Sequence, residues 1–448
     1  MMKQRTLFLI GVLSASCSCF SQEQKAWTLD DCLKYALEKN IQLCQNVLSM
    51  QESEVEVKNA KAALFPSLSF STGHNFINRP YQQNSNTVSG TEIISSNQTN
   101  TYNGNYSLNA QWTLWNGGKR LNNIKQQKIN LDIAKLSISE TQNMLQEEIT
   151  KLFVQILYAD ESVAINKGTL EVSEATYARG KELFAEGSLS KADLAQLEAQ
   201  VSSDEYQVIT AESTLRNYKL QLKQLLELED TDEMKLILPA IDEVQVTRLL
   251  PTQEEIYQTA LQIRPEIQSS KFSIENAKLN IASAKSGYMP TVSLSASTSS
   301  TTNSASVNNW AQQMKYGWNN MLGISLSIPL FDNRQNKSNI QKARIQYSNS
   351  QLDLINKQKE LYSTIQSLWL DARNAQQQYE AALDKLKSCQ TSFDMVSEQF
   401  ALGMKNTVEL LTEKNNLLQA QQQQVQAKYM AVLNRTLLNF YAGQNIEL

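Results

Sequence analysis

Histidine occurs once in the 448 residues, at His74, and the five cysteines are scattered, so side chains able to hold a metal ion or assist a nucleophile are nearly absent. His74 lies in a Ser/Thr/Asn-rich stretch without a catalytic partner, which argues against a hydrolase on a helical scaffold. Cys32 and Cys44 fall on one predicted helix, ~18 Å apart, beyond disulfide reach. Cys389 stands alone, and all three read as small core residues. No enzymatic activity, cofactor or metal is expected. The charged groups that draw attention sit instead in two matching phrases, "FAEGSLSKADL" at 184–194 and "FALGMKNTVEL" at 400–410, which share Phe, Ala, Gly, an acid and Leu. Acids and a lysine beside a glycine turn can cap helices or pair with each other.

The elements that position these phrases follow from the rest of the chain. Only 14 Gly and 7 Pro are present, so long uninterrupted elements are expected. Residues 1–21 carry Lys3 and Arg5, an apolar stretch from Leu7 to Leu13 and then small residues, the pattern of a secretory signal peptide. Cleavage after Ser21 is expected; lipidation of Cys17 is the alternative. The stretch is shorter than the ~20 residues of a membrane-spanning helix, and no other segment approaches that length. Without Lys3 and Arg5 the 41 basic residues fall to 39 against 45 acidic, a net charge of −6, which argues against nucleic acid as partner.

Landmarks recur at fixed separations. Gly187 and Gly403 lie 216 positions apart, as do Trp115 in "LWNGGKR" and Phe331 in "LFDNRQN". Ala36 and Ala260, and the phrases "KAALFPSLSFS" and "KSGYMPTVSLS", lie 224 apart, leaving a contraction of 8 residues between the proline and aromatic phrases. The second half therefore repeats the first, with a surface loop at the contraction. The expected division is a signal peptide at 1–21, a first repeat at 22–228, an inter-repeat equatorial segment at 229–251 and a second repeat at 252–448.

Within each repeat the hydrophobic period changes. Leu68, Phe70 and Phe76, then Tyr102, Tyr106, Leu108, Ala110, Trp112 and Leu114, follow a period of two; so do Val292, Leu294 and Ala296, then Tyr316, Trp318, Leu322, Ile324, Leu326, Ile328 and Leu330. Four strands are expected. Leu145, Ile149, Leu152, Ile156, Ala159 and Val163 instead step by four and three, as do Leu361, Ile365, Leu368, Ala372, Ala375 and Tyr379. A helix from about Gly118 to Phe184, ~100 Å long, and a return from Leu189 to Leu228 make a coiled-coil hairpin. Gly187 and Gly403 supply positive φ at its tips, and Ser190 or Thr407 can cap the returning helix. Short strands are expected around Leu236 to Leu238.

Alternating apolar and polar residues on a secreted chain without a membrane helix are the mark of an outer-membrane barrel, and a soluble sandwich alternates similarly. Four strands cannot close a barrel, so several chains must share one. The rival reading is a trimeric coiled-coil surface fibre or adhesin with a small membrane anchor, which the duplication disfavours.

From "WTLDDCLKYALEKN" through "FPSL", "LWNGGKR", "IPLFDN" and "LLNFYAG", the order of motifs resembles the TolC-type outer-membrane efflux protein family. The resemblance implies a mainly α fold with a membrane β-barrel: a homotrimer giving four strands per chain to a twelve-stranded barrel in outer-membrane lipid, above an α-helical periplasmic tunnel. It implies an outer-membrane location in a Gram-negative bacterium and, as partners, a periplasmic adaptor protein and an inner-membrane pump of RND or ABC type. It also implies a gate at the hairpin tips, which maps onto Asp193, Phe400, Lys405 and Glu409. Phe400 replaces the usual Tyr and loses its hydroxyl bond; Thr412 stands where a second acid is usual, with Glu413 beside it. An Asp193–Lys405 pair would be worth only ~0.2 to 1 kcal/mol, suiting a lock that an adaptor breaks. Three copies of Glu409 at a constriction would attract cations. Gly187, Ser188, Leu189 and Ser190 with Gly403, Met404, Lys405, Asn406 and Thr407 are the expected adaptor-docking tips.

Overall fold

In the computed structural model, residues 26–81, 85–89, 92–96, 99–228, 234–239 and 246–448 are described. The expected signal peptide and Cys17 lie outside them. The described elements are α1 (Leu29–Lys39), α2 (Ile41–Ala62), β1 (Ser67–Asn78), β2 (Ser85–Ser89), β3 (Glu92–Ser96), β4 (Asn100–Asn116), α3 (Lys119–Ala185) and α4 (Lys191–Leu225). Then follow α5 (Gln253–Ile263), α6 (Pro265–Lys285), β5 (Thr291–Asn303), α7 (Trp310–Tyr316), β6 (Asn319–Ser327), α8 (Gln335–Ala401) and α9 (Thr407–Tyr441).

Local chemistry repeats with the sequence. Thr28 caps α1 in a capping box with Asp31, and Thr252 caps α5 in the same way with Glu255. Each short helix then breaks at a residue in extended conformation, Asn40 or Arg264; the Asn40 side chain caps α2, and Pro265 opens α6. The Asn40 break corrects the expectation of one helix through Cys32 and Cys44. Cys32 is buried, but Cys44 is exposed and is no core residue. Both α3 and α8 run for 67 residues, about 100 Å at ~1.5 Å per residue. Their returns, α4 and α9, are 35 residues each.

The stepped stripe on α3 is core: Leu145, Ile149, Leu152, Ile156, Ala159 and Val163 are all buried, together with α1 and the later half of α9. On α8, Leu361, Ile365 and Ala372 pack with Ile256 and Ala260 of α5 and Ile267 of α6. The earlier half of α3 runs beside α2 and α6, tied by Asn46 to Thr141 at 2.6 Å and Asn276 to Asn130 at 2.7 Å. Trp27 bridges in parallel to Leu236, through Trp27 N to Lys235 O at 2.8 Å and Ile237 N to Trp27 O at 2.9 Å. The expected strands there reduce to this single bridge, because Pro239 offers no N–H with which to extend it.

β1, β4, β5 and β6 form one antiparallel sheet in the order β1-β4-β5-β6, and β2 pairs with β3 in a separate hairpin. Cross-strand pairs share a face. One face carries Leu68, Phe70, Phe76, Tyr102, Tyr106, Leu108, Ala110, Trp112, Leu294, Ala296, Leu322, Ile324 and Leu326. The other carries Ser67, Ser69, Ser71, Asn75, Asn105, Ser107, Asn109, Gln111, Ser293, Ser295, Ser297 and Ser299, with Ser71 and Ser107 hydroxyls 2.7 Å apart. No residue of these four strands is Asp, Glu, Lys or Arg. β6 is shorter than expected: Tyr316 closes α7, Trp318 lies in the turn before the strand, and Ile328 and Leu330 follow its end. A capping box of Asn309 with Gln312 opens a helical turn where the aromatic alternation suggested a strand.

Candidate functional site at the hairpin tips

Each outgoing helix ends by the same device. Gly187 has φ +74 and Gly403 φ +73, and the next amide bonds back across the turn: Ser188 N to Leu183 O at 2.8 Å and Met404 N to Gln399 O at 2.8 Å. Ser190 caps α4 as expected, accepting from Asp193 N at 3.1 Å while its hydroxyl donates to Asp193 Oδ2 at 2.6 Å. The second cap differs. Asn406 takes that role, accepting from Glu409 N at 2.9 Å, and Thr407 is the first helical residue, fully buried.

The acids and the lysine are placed accordingly. Lys405 Nζ lies 2.6 Å from Glu409 Oε1, and the other carboxylate oxygen of Glu409 accepts from Asn406 N at 3.2 Å. This hydrogen bond from Lys405, then the Asn406 amide, holds the Glu409 carboxyl below the usual glutamate range. Within one chain the Asp193–Lys405 pair is therefore not the contact made: the helical spacing of four gives Lys405 a nearer acid, and Asp193 is engaged by its own cap. Thr412 donates to Val408 O at 2.7 Å, and Glu413 stands one turn beyond Glu409 on α9. Gly187, Ser188, Ser190, Gly403, Met404 and Asn406 are exposed, and Leu189 and Lys405 are half-buried. Thr407 offers no docking surface in the single chain.

Phe400 is buried against Leu197, Leu410 and Leu411, with Tyr177, Leu183, Leu189, Phe393 and Val396 around them. These residues come from both hairpins, so an apolar plug joins α3 and α4 to α8 and α9 just above the tips. A ring without a hydroxyl suits that site.

Sequence reasoning missed the polar cluster next to the plug. Lys414 of α9 donates from Nζ to Asp204 Oδ2 of α4 and Ser173 Oγ of α3. Ser173 Oγ donates to Asp204 Oδ2 at 2.5 Å, and Gln200 Nε2 to Asp204 Oδ1 at 3.0 Å. Burial pushes the Lys414 ammonium down, against the upward pull of Asp204. The signal was available: Asp204 falls between Val201 and Val208 on the α4 stripe, and Lys414 between Leu410 and Leu417 on α9, both at heptad-like core positions.

The profile of the family described as "Outer membrane efflux protein" matches residues 32–227 and 256–444. The chain is 22% identical over 460 residues to the outer membrane protein TolC of Salmonella enteritidis, covering 99% of this chain and 86% of the relative. It is 20% identical over 453 residues to the proteases secretion protein PrtF of Dickeya chrysanthemi, covering 99% and 93%. Among solved structures, CusC superposes with a TM-score of 0.80 at 18% identity, covering 93% of this chain and 92% of that one.

Proposed function

The chain belongs to the outer membrane efflux protein family, and from that premise we propose that three copies of it form a duct whose shared barrel sits in the outer membrane and whose helices descend into the periplasm. The protein is a channel of efflux or type I secretion and not an enzyme. The observation that carries the proposal is the sheet: four strands with an apolar face, a polar face without Asp, Glu, Lys or Arg and two edges, β1 and β6, that pair with no other strand among the described residues. Open edges are not tolerated in lipid, so β6 of one chain pairs with β1 of the next until the ring closes. The division at 22–228, 229–251 and 252–448 belongs to the same reading, since each chain then gives two strand pairs and two hairpins. A surface fibre has no use for that duplication.

At the periplasmic end, Asp193, Phe400, Lys405 and Glu409 form the gate. Copies of Glu409 around the three-fold axis set cation preference, and the Lys405–Glu409 pair, about 35% and 41% exposed, is weak enough for a partner to rearrange. The tip residues from Gly187 to Ser190 and from Gly403 to Asn406, exposed or half-buried, receive a periplasmic adaptor, which connects the duct to an inner-membrane pump of RND or ABC type.

The test is mass measurement in detergent followed by single-channel conductance in a planar bilayer. A trimer with small, cation-selective openings is expected; a monomer, or a trimer whose imaged rods are solid, would overturn the proposal.

A further inference from the structure

The outward positions of β5 change character along the strand. Val292, Leu294 and Ala296 give way to Thr298, Ser300 and Thr302 on the same face. From Val292 to Ser300 is about 26 Å along the strand at ~3.3 Å per residue, or about 20 Å of height at a ~40° tilt, close to the ~25 Å apolar band of an outer-membrane barrel. Toward that height the outward face turns to the hydroxyls of Thr298, Ser300 and Thr302, and α7 packs on Ser300. Ser300 is only 3% exposed, and its Oγ reaches Met314 O at 3.1 Å and Gln313 O at 3.4 Å. Trp310 stands edge-on to Tyr106, with ring centroids 6.3 Å apart, and its Nε1 donates to the Tyr106 hydroxyl at 3.4 Å. Gln313 ties the helix down at both ends, accepting from Asn303 N and donating to Asn308 O, each at 2.7 Å. Tyr106 and Ser300 are cross-strand partners on the face of Leu108 and Leu294, so α7 lies on the apolar side of the sheet and not on the side of Ser107 and Ser299.

We infer that α7 is an interfacial helix, seated on the outside of the barrel in the headgroup layer of the outer leaflet, with Trp310, Tyr316 and Trp318 as its lipid contacts. Its occupant is lipid because the surface continues the apolar face, and Trp310, Tyr316 and Trp318 are 59%, 71% and 61% exposed beside Lys315 in the last turn of α7. Indole and phenol rings favour that layer, and lysine reaches the phosphates above it. Ser300, which hydrocarbon would leave unsatisfied, is covered by the helix, its hydroxyl donating to the Met314 and Gln313 carbonyls. The inference rests on the barrel reading, and the test separates the two.

A full-length variant retaining Trp310 alone, every other tryptophan replaced by Phe, is reconstituted in phosphatidylcholine vesicles brominated either beside the headgroup or near the acyl terminus. Shallow bromine is expected to quench Trp310 at least twofold more than deep bromine. A second variant with Leu322→Trp as its sole tryptophan, Trp310 included in the replacement, reports mid-band and should be quenched by deep bromine. If Leu322→Trp is quenched and Trp310 is open to aqueous acrylamide but untouched by bromine, the inference fails while the barrel stands. If neither is quenched, the barrel reading itself fails. Should loss of Trp369, whose Nε1 donates to Pro251 O at 3.1 Å, impair folding, the difference between the native chain and Trp310→Phe gives the same reading.

Discussion

Lys414 and Asp204 stand on different hairpins, 210 positions apart in the chain, and form an ion pair whose side chains are only 5% and 4% exposed. A pair so far from water is held for its geometry, because desolvation of both ions offsets much of their attraction. Removing one partner strands the other. Lys414→Met is expected to cost about 3–5 kcal/mol, while Lys414→Met with Asp204→Leu recovers most of that loss. Denaturant unfolding of the detergent-solubilised protein measures these and Asp204→Leu alone, and a loss in the double variant equal to the sum of the two single losses would show that the pair is not coupled.

Phe400→Ala removes the ring that fills the junction between the hairpins. A loss of about 3–5 kcal/mol is expected from the buried volume, together with a higher conductance of the closed channel as the tips separate. Planar-bilayer recording of the variant checks the second effect.

Asp193→Ala together with Glu409→Ala removes both acids assigned to the gate. Closed-state conductance is expected to rise severalfold and cation preference to weaken; unchanged currents would withdraw those two residues from the gate.

The Lys405 hydrogen bond keeps Glu409 ionised below the pH at which a free glutamate protonates, ~4.3. A lowered pKa means that the carboxylate charge persists as pH falls through the ordinary range and is lost only on further acidification. Cation selectivity should follow that course, and in Lys405→Met its loss should move up toward the ordinary glutamate value. Reversal potentials recorded against pH decide the point.

Gly187→Ala and Gly403→Ala meet no atom within 4 Å of the new Cβ, so their cost is the left-handed backbone alone, about 1–2 kcal/mol each. A small fall in thermal stability with the fold retained is the expected result by circular dichroism.

The long helices were readable because their ends are marked by chemistry that leaves few choices: Gly187 and Gly403 at positive φ, the Ser190 cap, and a stepped stripe of Leu and Ile that can only be buried. The strands were readable from their period of two. Where the reading went astray, local bonds outvoted the pattern. Asn309 and Gln312 cap a turn of helix that carries Tyr316 out of β6, Asn406 displaces Thr407 as a cap, and Asn40 splits the helix holding Cys32 and Cys44. Lys414 and Asp204 passed unnoticed because hydrophobic periodicity skips over charges, and only packing shows that two of them meet across 210 residues.

The absence of Asp, Glu, Lys and Arg from β1, β4, β5 and β6 divides the labour along the proposed duct. In the proposed barrel, solutes that have passed the tips would meet Ser, Thr, Asn and Gln, with Ile77 and Met321 among them, so the strands would offer no Asp, Glu, Lys or Arg on the way out. Width alone can refuse a passenger there. In that reading, sorting by sign of charge falls to the hairpin tips and to the proposed partners that engage them from below.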